Sequence, residues 1–190
     1  LCHRMLSIEE YAAHTHGTLH LPMTNITIRK QILTDNNIQL PPRYYGDICY
    51  YMYAIANAAT LYITNINLYQ YRRANEEQST NAAGYRRLYK NYIDVMKLII
   101  AYYDSSSFSP MKTKIVKRNI LFHLAFAYKM LMSKDFCGTL DDSHEVLLDF
   151  NKYLKQTSPD LYRACFKITN RHVPYVLIWR LFNINLFKIR

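Results

Sequence analysis

The sequence predicts a mainly α-helical protein: a short mixed α and β front part over residues 1–75, then a helical bundle over 76–190. Three observations predict it. From Tyr85 almost to the end, apolar residues recur at three- and four-residue spacing. Strand-like alternation of β-branched residues is confined to the front part. Hydrophobic residues make up 50% of the chain, enough for a sizeable core, yet glycine occurs only 4 times in 190 residues. So few glycines disfavour a complete doubly wound nucleotide-binding domain, whose tight turns and phosphate loops need them. No GxGxxG, GxxxxGK(S/T) or GxSxG is present.

The elements follow in order. "SIEEYAAHTH" predicts a short helix with Ser7 as N-cap and Glu10 in the capping-box position. "MTNITIRKQIL" fits either a strand or the start of a helix. Asn, Asp and paired prolines make "TDNNIQLPPRYYG" a loop. A helix is expected from about Asp47 to Ala58, with Ile48, Tyr51, Met52, Ile55 and Ala59 on one face. "TLYITNINLYQYRR" reads as a strand, a turn at Thr64-Asn65, and a second extended run from Leu68 to Arg72. "ANEEQSTNAAG" is a polar loop. The rear part then opens with a stripe of Leu88, Tyr92, Val95, Met96, Ile99 and Tyr103. Ser109-Pro110 supplies an N-cap and an N1 proline for the next helix, which carries Ile115, Leu121, Leu124, Tyr128 and Leu131. Gly138 ends that region. Val146, Leu147, Phe150 and Leu154 mark a fourth helix, and Ser158-Pro159 opens a fifth. At least four helices and no sheet are expected beyond about Ala82.

The formal charge is +10, from 24 Lys and Arg against 14 Asp and Glu. A surplus of this size points towards phosphates, on nucleotides, nucleic acid or lipid headgroups, or to a solvated basic surface. Cys2, Cys49, Cys137 and Cys165 are far apart and form no CxxC pair, which reads as reduced thiols in a cytoplasmic protein. No signal peptide is visible, and no stretch approaches the ~20 apolar residues of a spanning helix. The first residue is Leu1, and the chain is expected to be the C-terminal portion of something longer.

Within the front part, Arg29-Lys30, Ile32-Leu33, Asn37-Ile38, Tyr45-Gly46-Asp47-Ile48, Leu68-Tyr69-Gln70-Tyr71-Arg72 and Ser79-Thr80 occur in that order. This ordered set, about a third of the chain, resembles the end of the catalytic domain of the family 2 glycosyltransferases. These are inverting bacterial enzymes of the GT-A type that build surface polysaccharides. The resemblance implies that residues 1–75 are the C-terminal end of such a domain, and that residues 76–190 are its helical extension. It implies a nucleotide sugar as donor, a glycan or lipid-linked acceptor, and a divalent Mg or Mn. The donor half with its Asp-x-Asp motif has no counterpart in these 190 residues, so no metal or cofactor is expected in this chain alone, which should be inactive by itself. Asp141-Asp142 falls at a helix start and reads as capping acids. Where the family carries Glu before its aspartate, this chain has Gly46.

Asp47 therefore admits two compatible readings. As an N-cap it would satisfy orphan N–H groups at the head of an apolar helix. By resemblance it is the general base that takes a proton from the acceptor hydroxyl. A helix N-terminus favours the ionised carboxylate that such a base requires. Arg72 and Arg73 are candidates for the donor diphosphate, which arginine can hold bidentately, or surface arginines at a strand end. Ser79 and Thr80 would add hydroxyl contacts. Tyr45 is a further substrate-binding candidate. Tyr44, Tyr45, Tyr50, Tyr51 and Tyr53 otherwise read as core, with stacking on a sugar or base ring as the alternative. His14, His16 and His20 lack cysteine or carboxylate partners, so no metal site is assigned to them.

Residues 175–190 combine Trp179, Phe182, Leu181 and Phe187 with Arg180, Lys188 and Arg190. That pattern fits an interfacial helix at the inner face of an anionic membrane, and equally a core helix or a homo-oligomer contact. A rival to the enzyme reading is a basic helical module for nucleic acid or a protein partner. It would require Arg86, Arg87, Lys90, Lys112, Lys114, Lys117 and Arg118 to share one face. Nucleic acid is the less favoured partner.

Overall fold

The computed structural model describes residues 3–15, 25–66, 69 and 79–187. Among them lie eight helices and a single two-stranded sheet. The protein is thus mainly α, and both strands among the described residues lie in the front part. The described residues of Leu1–Ala74 and Ser106–Asn119 form one compact unit, and those of Asn75–Ser105 and Ile120–Arg190 a second.

The first unit begins with strand β1 (Arg4–Ser7) and helix α1 (Ile8–His14). The capping box is present as expected. Ser7 Oγ accepts from the Glu10 N–H at 3.0 Å, and the Glu10 carboxylate accepts from the Ser7 N–H at 2.7 Å. The same bonds lower the Glu10 pKa. Helix α2 (Lys30–Asp35) resolves the ambiguity of "TIRKQIL" in favour of helix, and a loop follows as far as Tyr45. Helix α3 (Gly46–Asn57) buries Ile48, Tyr51, Met52 and Ile55, the face that the periodicity marked, together with Cys49, Ala54 and Ala56. Ala59 falls beyond its end and is exposed. Strand β2 (Thr60–Ile63) then pairs antiparallel with β1, Leu6 opposite Leu61 and Met5 opposite Tyr62. Leu6 is buried, while Met5 and Tyr62 are exposed, as period-two alternation requires. The second extended run, Leu68 to Arg72, lies outside the described residues apart from Tyr69. Lys112, in the part of the chain that returns to this unit, donates from Nζ to the Ala58 carbonyl just past the end of α3. That carbonyl has no helical partner, so a cation is well placed there. Loss of hydration lowers the Lys112 pKa.

The second unit is built on helices α4 (Ala82–Ser105), α5 (Pro110–Met132), α6 (Ser143–Thr157), α7 (Pro159–Ala164) and α8 (Tyr175–Phe182), the first residues of α5 counting with the first unit. All six residues of the predicted stripe on α4 are buried. The N1 proline at 110 stands where it was expected, and Lys112 N–H lies 3.4 Å from Ser109 Oγ. Tyr128, Phe150, Leu124, Met130 and Ile120 fill the core. Cys137 and Cys165 are buried and in no disulfide, as is Cys49 in the first unit. The reading of Asp142 as a capping acid needs correction. It stands at the N-cap of α6, but its side chain makes no cap bond. The carboxylate instead accepts from the Tyr89 hydroxyl and pairs with Lys90 Nζ at 2.5 Å. Opposite it, Arg86 donates to Thr139 Oγ1 at 3.1 Å, so the α5–α6 connection is tied to α4 at two places. Ser158 likewise precedes α7 without capping it, and its buried hydroxyl has no partner.

The Asp142 clasp carries a pH signature. The Lys90 contact, then the Tyr89 hydroxyl, hold the Asp142 pKa below its usual 3.8. A depressed carboxylate contributes stability above its unfolded value that disappears as pH falls through the folded value. Asp142→Asn should therefore lower the melting temperature slightly at neutral pH, and the difference should shrink as pH falls through the folded value. Melts followed by circular dichroism at neutral and at acid pH measure the difference.

The end of the chain departs from a simple interfacial helix in one respect. Tyr175, Val176 and Trp179 of α8 are buried. Arg180 points inward as well. Its Nε donates to Asn151 Oδ1 at 2.8 Å, one Nη to the Tyr162 carbonyl at 2.7 Å and the other to the Tyr128 hydroxyl at 2.7 Å. Its guanidinium also lies 3.7 Å from the centre of the Tyr162 ring. Leu181 and Phe182, at the helix end, remain exposed. Among the described residues no helix is long and apolar enough to cross a membrane.

Candidate active site

The residues that precede α3 form a tight reversal. The Gly46 N–H donates to the Arg43 carbonyl at 3.2 Å, closing a four-residue turn with Tyr44 and Tyr45 at its centre. Tyr45 has φ 65° and ψ 9°. This left-handed conformation suits glycine or asparagine at the third position of a type II turn and costs a bulky residue about 1–3 kcal/mol. The strain is offset by burial, since Tyr45 is only 8% exposed. The turn thereby separates the paired tyrosines: Tyr45 enters the core and Tyr44 stays at the surface.

Tyr45 rather than Asp47 occupies the N-cap of α3, and it makes no side-chain cap bond. The expectation that Asp47 caps the helix is therefore corrected: the cap lies two residues earlier. Asp47 lies in the first turn, where the backbone N–H groups of Asp47 and Ile48 favour its ionised form. Loss of hydration around the carboxyl outweighs them and raises the pKa above the usual 3.8. The residue itself is exposed. Two residues further on, burial pushes the Cys49 thiol up to about 11, so this cysteine is an inert core residue.

Gly46 is fixed by a close approach. A Cβ at this position would stand 2.7 Å from the Pro41 carbonyl oxygen. The side chain of the family's Glu has no room here while Pro41 keeps its place. Gly46→Ala should force the Pro41–Pro42 loop outwards and destabilise the protein by about 1–3 kcal/mol, as overpacking does. Thermal or urea unfolding measures this, and an unchanged midpoint would show that the loop yields freely.

The remaining candidates divide. Arg72 and Arg73 lie outside the described residues. Ser79 and Thr80 form a turn ahead of α4, whose start is capped by Asn81 Oδ1 on the Gly84 N–H at 2.7 Å; they belong to the second unit. His14 holds the Glu10 carbonyl through Nδ1 at 2.7 Å, and His16 and His20 lie outside the described residues. Of the seven cations named for a basic interface, Arg86, Lys90 and Lys112 have partners within their own units. Sequence reasoning missed the surface position of Tyr44 and the inward guanidinium of Arg180. The first depends on a left-handed tyrosine that no local rule favours, and the second on partners distant in sequence.

Comparison with protein-family models, with curated proteins and with solved structures finds no match to this chain.

Proposed function

We propose that the chain is the acceptor-side end of a family 2 glycosyltransferase with a helical appendage. The enzyme would transfer a sugar with inversion from a nucleotide sugar to a glycan or lipid-linked acceptor. The observation that carries the proposal is the placement of Asp47: an exposed carboxylate with a raised pKa, in the first turn of a helix that leads directly into a strand. A more basic carboxylate is a better proton acceptor, provided that it stays ionised at working pH. In the reaction, the acceptor oxygen attacks the anomeric carbon while its proton passes to Asp47. The bond from that carbon to the diphosphate oxygen breaks on the opposite face, and the nucleoside diphosphate leaves. One base suffices, because inversion needs no covalent intermediate.

In this reading the contact with the leaving diphosphate would fall to Arg72 and Arg73. The donor site and the ligands of Mg or Mn belong to residues outside this chain. Among the described residues no three His, Cys, Asp or Glu side chains converge on a point, and the steps assigned to this chain use none. The exposed Leu181 and Phe182 beside the docked part of α8 would give the enzyme a peripheral contact with the membrane face. At least three of the seven cations of the rival basic module are occupied internally, which weakens that alternative.

The test is a nucleotide-release assay on the complete polypeptide that contains this chain, with a panel of nucleotide sugars and lipid-linked or glycan acceptors. Acceptor-dependent release of nucleoside diphosphate is the expected result. Absence of release with every donor and acceptor would overturn the proposal.

A further inference from the structure

We propose that the reversal at residues 181–184 is an insertion tip for an anionic bilayer: its apolar side chains enter the headgroup layer while Lys129 and Lys134 meet the lipid phosphates. The inference rests on the peripheral membrane contact of the proposed reading. It adds to that contact a fixed element, a lipid class and the cations that select it.

The reversal is built from named bonds. Helix α8 ends at Asn183, whose N–H donates to the Trp179 carbonyl at 2.8 Å. Its φ of 54° is the left-handed conformation that asparagine tolerates at a helix end. Beyond it, Asn185 donates from Nδ2 to the Met132 carbonyl at 3.0 Å, and its Oδ1 accepts from the Phe187 N–H at 3.1 Å. By Phe187 the chain has returned to the start of α8, where its ring meets the Tyr175 ring edge to face with centres 5.2 Å apart.

This fixed reversal presents apolar side chains. Leu181 is 64% exposed, Phe182 66% and Ile184 41%. A single exposed leucine needs no account, but three large apolar residues at the apex of a bonded turn do. The docked face of α8 is already supplied by Tyr175, Val176 and Trp179. The Asn185 bond also sets the tip beside the end of α5. Lys129 lies in the last turn of that helix and Lys134 just past it, both exposed. Asp135 is exposed there too, which leaves two cations to one acid. Leucine and phenylalanine enter the acyl boundary of a bilayer, and lysines beside them pair with headgroup phosphates. The formal charge of +10 favours anionic over neutral lipid. Three side chains are too few for a stable interface with a second copy, which takes about 800 Å² from each partner.

Co-sedimentation of this 190-residue chain with vesicles tests the proposal. One set is phosphatidylcholine alone, and the other contains about one third phosphatidylserine. The wild type should bind the anionic set about tenfold or more tightly than the neutral set. Leu181→Ser with Phe182→Ser should weaken that binding by about tenfold or more, and so should Lys129→Gln with Lys134→Gln. All four residues are exposed, so both variants should melt with the wild type. Phe182→Trp should bind like the wild type, and its added fluorescence should be quenched by brominated lipid. A serine variant that binds like the wild type overturns the proposal, as does equal binding to the two sets or binding to neither. A dimer that forms without vesicle binding and is dissolved by the serine substitutions would assign the tip to a second copy, and overturns it as well. Sugar transfer plays no part in these readouts. Vesicle binding can fail while acceptor-dependent nucleotide release persists, and the reverse, so the two readings fail separately.

Discussion

Asp47→Asn in the complete polypeptide is expected to lower sugar transfer by on the order of a hundredfold or more, with the fold intact. Asparagine keeps the size and shape of the side chain and removes only the proton acceptor. The stability consequence has the opposite sign and is small. A carboxyl whose folded pKa is raised contributes stability below its unfolded value and loses it as pH rises through the folded value. At neutral pH the ionised Asp47 is therefore slightly unfavourable to the fold, and the asparagine variant should melt no lower than the wild type. Lost turnover with undiminished stability is the mark of a residue retained for chemistry. A helix cap would give the reverse: normal turnover, and a stability that depends on the side chain.

Arg180→Ala should produce the largest loss of stability. Three carbonyl or hydroxyl oxygens, on Asn151, Tyr162 and Tyr128, lose a charged donor together, and the Tyr162 ring loses the cation on its face. Bonds to charged groups are worth about 1.5–3 kcal/mol each, but they act as a unit and do not add. A total of about 3–4 kcal/mol is expected, read from urea unfolding. Arg180→Lys should recover only a minor part, since an ammonium cannot span three acceptors with a planar fork. A loss under about 1 kcal/mol for Arg180→Ala would show that water replaces the guanidinium at little cost.

The helical scaffold was legible because its signals are local and repeated. The α4 stripe, the Ser7–Glu10 box and the Ser109-Pro110 start each follow from spacing or from one pair of residues. The features that set the candidate site are not local. The N-cap of α3 falls on Tyr45, which takes a conformation that tyrosine disfavours, and Gly46 fits beside the Pro41 carbonyl because it has no Cβ. Only the packed loop makes either acceptable. Arg180 sits in an apolar helix with basic neighbours, a pattern that suggests a cation reaching for water or lipid. Its partners lie 18 to 52 residues away in sequence, so nothing near it reveals that it turns inward. Asp142 misled for a related reason, as its position at a helix start is real while its carboxylate serves α4.

If Asp47 is the base for an inverting transfer, the anomeric configuration of the product tests it most directly, read by proton NMR during turnover of an α-linked nucleotide sugar by the complete polypeptide. The wild type should give a β-linked product, and Asp47→Asn no product above background. An α-linked product, or a β-linked product formed at the normal rate by Asp47→Asn, would contradict the role of Asp47.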